Sequence, residues 1–441
     1  MGRGRRIAAI AAIATGLLGV GALVPVLGGR STGSEGAVAR AESSALLRPR
    51  DGASLDRSIE LLRARLASVP HDGGAWARLG LAYVQRAALT GDPADYARAG
   101  AAIERSLAAE PGNTDGLIGS AVLAAARHDF AEALRLGRRA RAEAPFDPAV
   151  HGIVGDALLE QGRYDDAFAT FQRMVDLRPD TASLARVSYA RELTGDLTGA
   201  IRAMQGARRF AATPADAAWT QVQLGQLLLN AGRRRAAEAS FRGAARLDPR
   251  STAPLAGVAI TAAAGHDLRR ARRLAEEVLV RNPSPEHAIL AGDLAMVAGD
   301  VAAARRSYDV ASVGFRLLRA NGVRVDLELA LFEADHGAPR RALAAARAAW
   351  RDRGTVHAAD AMAWALHVMG RNDLAARLAR QARLLGTDEA LFAYHAGVIE
   401  LARGHDAAGR ALLREALSVD PWFSILGRAN AIRLLDQEGS R

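Results

Sequence analysis

The sequence predicts an all-α protein in which helix-turn-helix units stack into a solenoid, because its punctuating residues repeat with a spacing near 34. Pro111, Pro145 and Pro179 are 34 residues apart, and Pro249 and Pro283 repeat that distance. A second series lies between the prolines, at intervals of 33 to 38 residues: Gly162, Gly195, Gly232, Gly265, Gly299, Gly337, Gly370 and Gly404. A fixed period of this length is typical of stacked helical repeats.

The unit 218–249 shows why each repeat should be a helical hairpin. Its first half has apolar or small residues at helical spacing, namely Val222, Leu224, Gly225, Leu228 and Leu229. Gly225 is small enough to let a neighbouring helix approach closely. Gly232 ends this helix, because glycine adopts the left-handed backbone of a helix end without steric cost. A second stripe, Ala237, Phe241 and Ala244, ends at Asp248-Pro249, since the residue before proline avoids the helical region. One hairpin cannot bury both stripes, so we expect copies on either side.

These units resemble the tetratricopeptide repeat (TPR) family over roughly residues 56–425. Trp76, Leu79, Gly80 and Tyr83 match the first-helix pattern of the family, whereas Ala167 with Phe171 and Ala237 with Phe241 match its second-helix pattern. The resemblance implies a right-handed superhelical solenoid of about ten TPR-like helix-turn-helix repeats. It also implies a non-catalytic scaffold for protein–protein interaction. The clamp with which some members hold a C-terminal carboxylate uses lysine, which this chain lacks.

Residues 1–29 read as a targeting segment. Arg3, Arg5 and Arg6 precede an uncharged run of 23 residues from Ile7 to Gly29, and about 20 apolar residues are enough to span a bilayer. We expect a single-pass membrane anchor with the repeats outside the cytoplasm. The alternative is a cleaved signal, with small-residue cleavage patterns at 37–39 and 39–41 and a secreted product.

The remaining chain divides into a linker and the solenoid. Residues 30–54 are rich in glycine, serine and charge, so we expect a flexible linker. The solenoid, 55–441, should open with a capping helix at Leu55–Val69 and close with another at Trp422–Glu438. The first full unit carries about seven extra residues between Tyr83 and Ala99, which predict either a longer first helix or a protruding loop.

Composition argues against an enzyme. The chain of 441 residues has no cysteine and no lysine, which excludes thiol nucleophiles, thiolate metal sites and phosphate loops. His128-Asp129, His266-Asp267 and His405-Asp406 recur about a unit or more apart. We interpret each Asp as a helix cap rather than as a metal ligand. Neither a cofactor nor a metal is expected.

The formal charge of +10 raises the alternative of polyanion binding. Arginines cluster in the predicted second helices, which form the convex side of TPR-like stacks, at Arg138-Arg139, Arg233-Arg234-Arg235, Arg269-Arg270, Arg272-Arg273, Arg305-Arg306 and Arg340-Arg341. They could bind lipid headgroups, a surface polymer or RNA. Because no aromatic residues are interleaved with them, nucleic acid is the weakest of these candidates.

The leading hypothesis places the binding surface on the concave side, which first helices line in TPR-like stacks. Its candidate residues are acidic, amide or aromatic: Asp156, Glu160, Tyr189, Glu192, Trp219, Gln226, Asn230, Asp293, Met296, Asp360, Trp364, His367 and Tyr394. Such residues suit a groove that binds a protein or peptide, and the carboxylates would favour a basic partner. The alternative is that Trp219 and Trp364 only pack between helices.

Overall fold

The computed structural model describes residues 52–437, and within that range it contains 22 α-helices and no strand. The predicted anchor, 1–29, and nearly all of the predicted linker lie outside the described residues. In the described part of the chain, none of the helices combines the length and apolarity that a bilayer crossing needs.

The helices form ten consecutive hairpins between two single terminal helices, which confirms the predicted number of repeats. The terminal helices are α1 (Gly52–Ser68) and α22 (Gly427–Asp436). The first helices of the hairpins are α2 (Gly73–Thr90), α4 (Thr114–Ala126), α6 (Pro148–Leu159), α8 (Thr181–Leu193), α10 (Pro214–Asn230), α12 (Ala253–Ala264), α14 (Pro285–Val297), α16 (Asp326–Asp335), α18 (Val356–Val368) and α20 (Ala390–Ala402). The second helices are α3 (Ala94–Ala109), α5 (Phe130–Glu143), α7 (Tyr164–Leu177), α9 (Leu197–Arg209), α11 (Arg234–Leu247), α13 (Leu268–Arg281), α15 (Val301–Ala320), α17 (Pro339–Asp352), α19 (Asn372–Ala382) and α21 (Asp406–Val419).

Small residues let neighbouring helices approach closely around large rings. The ring of Phe241 is buried and lies against Gly225 of the same unit and Gly257 of the next. A methyl group at Gly225 would come within 2.7 Å of that ring. Gly225 is predicted to let a neighbouring helix approach closely, and at this position the ring of Phe241 bridges two units.

Most of the turns between paired helices use a left-handed residue, as predicted. Gly162, Gly195, Gly232, Gly299, Gly370 and Gly404 all have positive φ. In two units a histidine takes this role, because His128 has φ 59° and His266 has φ 64°. Gly265, predicted for this position, instead ends α12 with φ −89°.

Two of the three predicted caps are confirmed. The side chain of Asp129 accepts a hydrogen bond from the backbone N–H of Glu132, and Asp267 accepts one from Arg270. The third is wrong in detail, because His405 is the N-cap residue of α21 and Asp406 lies in the first turn of that helix.

The ends of the solenoid also differ slightly from expectation. The extra residues of the first unit extend α2 to 18 residues, so the longer-helix alternative holds. At the other end, α22 begins at Gly427 rather than near Trp422, since the backbone N–H of Trp422 donates to the Asp420 side chain at 2.8 Å in a turn.

Successive turns of the superhelix contact each other. The backbone N–H of Val356 donates to the Tyr164 hydroxyl at 2.9 Å, and His128 Nδ1 lies 2.9 Å from the Arg324 carbonyl oxygen. The Thr387 hydroxyl donates to the Leu193 carbonyl. These pairs are separated by 192 to 196 residues, so roughly five to six units complete one turn. The inner faces of the first helices consequently enclose a lumen.

Candidate functional site

The larger part of the lumen is an apolar chamber of about 410 Å³. Leu89 at the end of α2, Trp219 and Val222 of α10, Ile289 of α14 and Phe315 of α15 contribute to its walls. A mostly apolar concavity of this volume has the size of a typical ligand pocket. It lies where the end of α2 meets the turn before α14, which belongs to the next superhelical turn, since Asn282 Nδ2 lies 3.5 Å from the Leu89 carbonyl oxygen.

Two polar atoms in the walls of this chamber lack partners. Trp219 Nε1 and Asn282 Oδ1 are buried, and neither forms a hydrogen bond with any part of the chain that the structure describes. Buried polar atoms are nearly always partnered in folded proteins. An occupant that supplied one acceptor and one donor here would satisfy both.

The second part of the lumen is an acidic chamber of about 130 Å³ that shares Glu286 and Ile289 with the first. Six carboxylates line it: Glu192, Glu286, Asp293, Asp388, Glu389 and Asp420. None of the described residues that line it is an arginine, although the chain as a whole carries a formal charge of +10. The ionisable residues of this chamber are therefore acidic except for His287 and His357, in a chain that is basic overall.

Three carboxyl groups of this chamber, those of Glu192, Asp293 and Asp420, hold protons more tightly than usual. Burial, followed by the charge of Glu389, raises the pKa of Glu192 to about 7. Burial likewise raises the pKa of Asp420 to about 7 and that of Asp293 to about 8. Although burial lowers the pKa of His357, its contact with Glu389 at 3.4 Å raises that pKa overall. A cationic group entering the chamber would replace these protons.

Six of the predicted groove residues line the lumen. Trp219 lies in the wall of the apolar chamber, and Tyr189, Glu192, Gln226, Asn230 and Asp293 line the acidic one. Three of them are linked, since Gln226 Nε2 donates to Asn230 Oδ1 at 2.8 Å and Asn230 Nδ2 donates to Glu192 Oε1 at 3.0 Å. This amide chain fixes the orientation of the Glu192 carboxylate.

Trp364, Tyr394 and His367 do not line either chamber, and Trp364 packs between helices as the alternative expected. Trp364 is 0% exposed, stacks on His395 with ring centroids 4.1 Å apart, and donates from Nε1 to Asp335 at 2.7 Å. Tyr394 is also 0% exposed, and its hydroxyl accepts from Asn430. His367 stacks on Trp364 at 4.9 Å. Trp364 and Tyr394 therefore belong to the core between units rather than to a groove surface.

The other predicted acidic residues contact basic groups of the chain itself. Asp156 is paired with the buried Arg186, with Arg186 Nη2 2.6 Å from Asp156 Oδ2. Glu160 lies 3.6 Å from Arg353 of the following superhelical turn, and Asp360 lies 2.8 Å from His395. Met296 is half-buried at the end of α14. Charge alone therefore did not distinguish structural carboxylates from chamber carboxylates.

Several chamber residues escaped the sequence analysis. Glu286 and His357 are the second residues of α14 and α18, and Glu389 is the N-cap residue of α20. Negative charge is favourable at a helix N-terminus, which helps the fold tolerate Glu286 and Glu389 inside the lumen. Their shared position at the start of a first helix is the signal that could have identified them.

The predicted arginine groups lie on the second helices α5, α11, α13, α15 and α17, except that Arg233 is the N-cap residue just before α11. Arg138, Arg139, Arg305, Arg306 and Arg340 are exposed. As for metals, no cluster of three His, Asp or Glu side chains within residues 52–437 is arranged to hold an ion.

Comparison with known proteins supports the repeat assignment. Models described as tetratricopeptide repeat match residues 118–182, 155–217, 220–251 and 259–312. A comparison with curated proteins finds no match. A solved structure of the human IFIT1 dimer with PPP-AAAA is 14% identical, with a TM-score of 0.47 and coverage of 80% of both chains. The APC/C hetero-tetramer Cut9–Hcn1 is 15% identical, with a TM-score of 0.39 and coverage of 83% of this chain and 76% of that one.

A shorter relative is YrrB, a TPR protein with an unusual peptide-binding site. It is 14% identical, has a TM-score of 0.29, and the match covers 41% of this chain and 92% of that one. With its 34-residue period, ten helical hairpins and matching repeat models, this protein is a helical solenoid that contains tetratricopeptide repeats.

Proposed function

We propose that this protein is a non-catalytic scaffold that binds a basic peptide segment of another protein inside its superhelix. TPR proteins are generally protein-interaction scaffolds, and the observation that carries the finer proposal is the acidic chamber. Six carboxylates line this chamber, and no arginine is among its described lining residues. Complementary charge selects the partner and speeds its encounter, so a segment with arginine or lysine side chains fits this site.

The apolar chamber supplies the second half of the recognition. Since Glu286 and Ile289 line both chambers, one segment can place an apolar side chain beside Trp219 and a basic side chain beside Glu389. Large apolar anchors in desolvated pockets contribute most of the binding energy of an interface. We therefore expect a motif in which a large apolar residue lies a few positions from a basic one.

Selection from a random peptide library on the full chain tests this proposal. We expect the recovered peptides to combine basic and large apolar residues. Substituting Glu286→Gln together with Glu389→Gln should weaken their binding at least about tenfold, as expected for lost charge pairing in a desolvated site. Trp219→Ala should weaken it to a similar degree through loss of the apolar anchor.

Matched controls lie on the outside of the molecule. Glu276→Gln with Glu277→Gln removes the same charge from exposed positions of α13, and Phe146→Ala truncates an aromatic ring that is 75% exposed. Both variants should bind like the wild type. Recovery of acidic peptides, or equal weakening by the inner and outer variants, would show that the lumen is not the binding site.

We further propose that residues 7–29 anchor the scaffold in the cell membrane with the repeats outside the cytoplasm. The support is the uncharged run of 23 residues behind three arginines. Extraction of cell membranes with alkaline carbonate should leave the protein in the pellet, and external protease should digest the repeats. Release of a shortened chain into the medium would favour a cleaved signal instead.

A further inference from the structure

A basic cleft lies on the outer side of the second and third units. It has a volume of about 330 Å³ and runs between α5 and α7, with His151, Val154 and Leu158 of α6 as its floor. Arg138 and Arg141 project from α5, and Arg163 and Arg173 from the α7 side. We call this feature the α5–α7 cleft.

The cationic charge of this cleft is largely uncompensated. Asp166 is its single acidic lining residue among those the structure describes, and it is bound by Arg163. Arg138, Arg141 and Arg173 form no ion pair with any residue between 52 and 437. A second outer cavity, of about 500 Å³ between α15 and α17, provides the contrast. There Asp326 and Glu333 accompany three arginines, and Glu333 Oε1 lies 2.9 Å from Arg341 Nε.

The dimensions of the α5–α7 cleft fit an extended chain. Arg163 and Arg173 are ten residues apart along α7, which is about 15 Å of helix. An extended peptide of four to five residues has about that length. Guanidinium groups bind carboxylates through paired hydrogen bonds. The arginines on the two walls can therefore bind successive acidic side chains of such a peptide.

Other anions match the cleft less well. No Phe, Tyr or Trp side chain is among its described lining residues, and the ring of His151 is buried in the floor, so nucleic acid bases would have no exposed ring on which to stack. The arginines also stand on two opposing walls above a floor, whereas a bilayer presents its headgroups as a plane. The chemistry therefore favours carboxylates along a flexible peptide.

We propose that the α5–α7 cleft binds an extended, carboxylate-rich segment of a second partner protein. The cleft is separate from the lumen and has the opposite charge. The scaffold then holds two partners of opposite charge, a basic one inside and an acidic one outside.

Titration of the full chain with fluorescein-labelled hexaglutamate, followed by anisotropy, tests this site. Arg138→Glu with Arg173→Glu should raise the Kd at least about tenfold at low salt. The matched control, Arg233→Glu with Arg235→Glu, reverses two exposed arginines of the α11 region outside the cleft, and it should change the Kd less than about twofold. The neutral variant Arg138→Gln with Arg173→Gln should lie between the wild type and the reversed variant.

The same titration with an oligouridylate and with phosphatidylserine vesicles identifies the ligand class. Hexaglutamate should bind most tightly, and Arg138→Glu with Arg173→Glu should affect it most. The proposal is overturned if oligouridylate or the vesicles bind more tightly through the same arginines. It is also overturned if the cleft and control variants weaken hexaglutamate equally, because binding would then follow overall surface charge. Circular dichroism of each variant serves as the control for folding.

Discussion

Replacing Asp293 by asparagine should remove a large part of the pH dependence of stability. Asp293 is 1% exposed, its Oδ1 accepts a hydrogen bond from the Tyr308 hydroxyl at 2.9 Å, and His336 Nε2 lies 3.4 Å away. Burial lowers the pKa of His336 to about 3, so this imidazole is neutral and cannot compensate a carboxylate. Burial raises the pKa of Asp293 to about 8, whereas the hydrogen bond from Tyr308 lowers it.

The sign and size of the effect follow from proton linkage. The folded-state pKa lies above the unfolded value of about 3.9. Between these two values the folded protein holds a proton that the unfolded chain has released, so stability falls as the pH rises. A difference of this size corresponds to on the order of 5–6 kcal/mol across the window. Asparagine keeps an oxygen that accepts from Tyr308 and cannot ionise, so Asp293→Asn should lose this contribution.

Urea denaturation followed by circular dichroism at about pH 5.5, 7 and 8.5 measures the effect. The wild-type midpoint should fall with rising pH. The Asp293→Asn midpoint should fall less over the whole range, because only Glu192 and Asp420, with pKa values of about 7, still contribute to its slope. Asp300→Asn is the control, since contacts with Ala303 and Arg272 lower the pKa of this exposed cap. A wild-type midpoint that does not fall, or an equal slope in Asp293→Asn, would refute the reasoning.

Three further substitutions test the packing. Trp364→Ala should lower the free energy of unfolding by about 3–5 kcal/mol, because it empties a fully buried site between two units, and urea denaturation checks this. Gly225→Ala should cost about 1–3 kcal/mol in the same assay, since the added methyl group meets the wedged Phe241 ring, and an unchanged midpoint would contradict this. Arg186→Leu should lower the free energy of unfolding by about 3–5 kcal/mol at neutral pH, because it leaves Asp156 buried without its cation. Thermal denaturation at lower pH should show that this loss of stability becomes smaller in acid.

The sequence by itself was sufficient for the repeat architecture. The period of 34, the turn glycines and the stripe containing Phe241 concern contacts within a unit or between adjacent units, and such contacts recur at short, regular separations. Helical spacing therefore predicted both the ten hairpins and the close approach at Gly225. It also placed the arginine groups on second helices.

The lumen was decided by the tertiary structure. A small rotation between neighbouring units accumulates until residues 192 to 196 apart meet, as Tyr164 and Val356 do. No local pattern encodes that sum, so the sequence could not show that Glu192 and Glu389 would line one chamber. For the same reason it could not show that Glu160 would lie beside Arg353 of the next turn. The sequence pattern predicted that acidic and aromatic side chains lie on first helices. The pitch of the superhelix determined which of these side chains line a cavity.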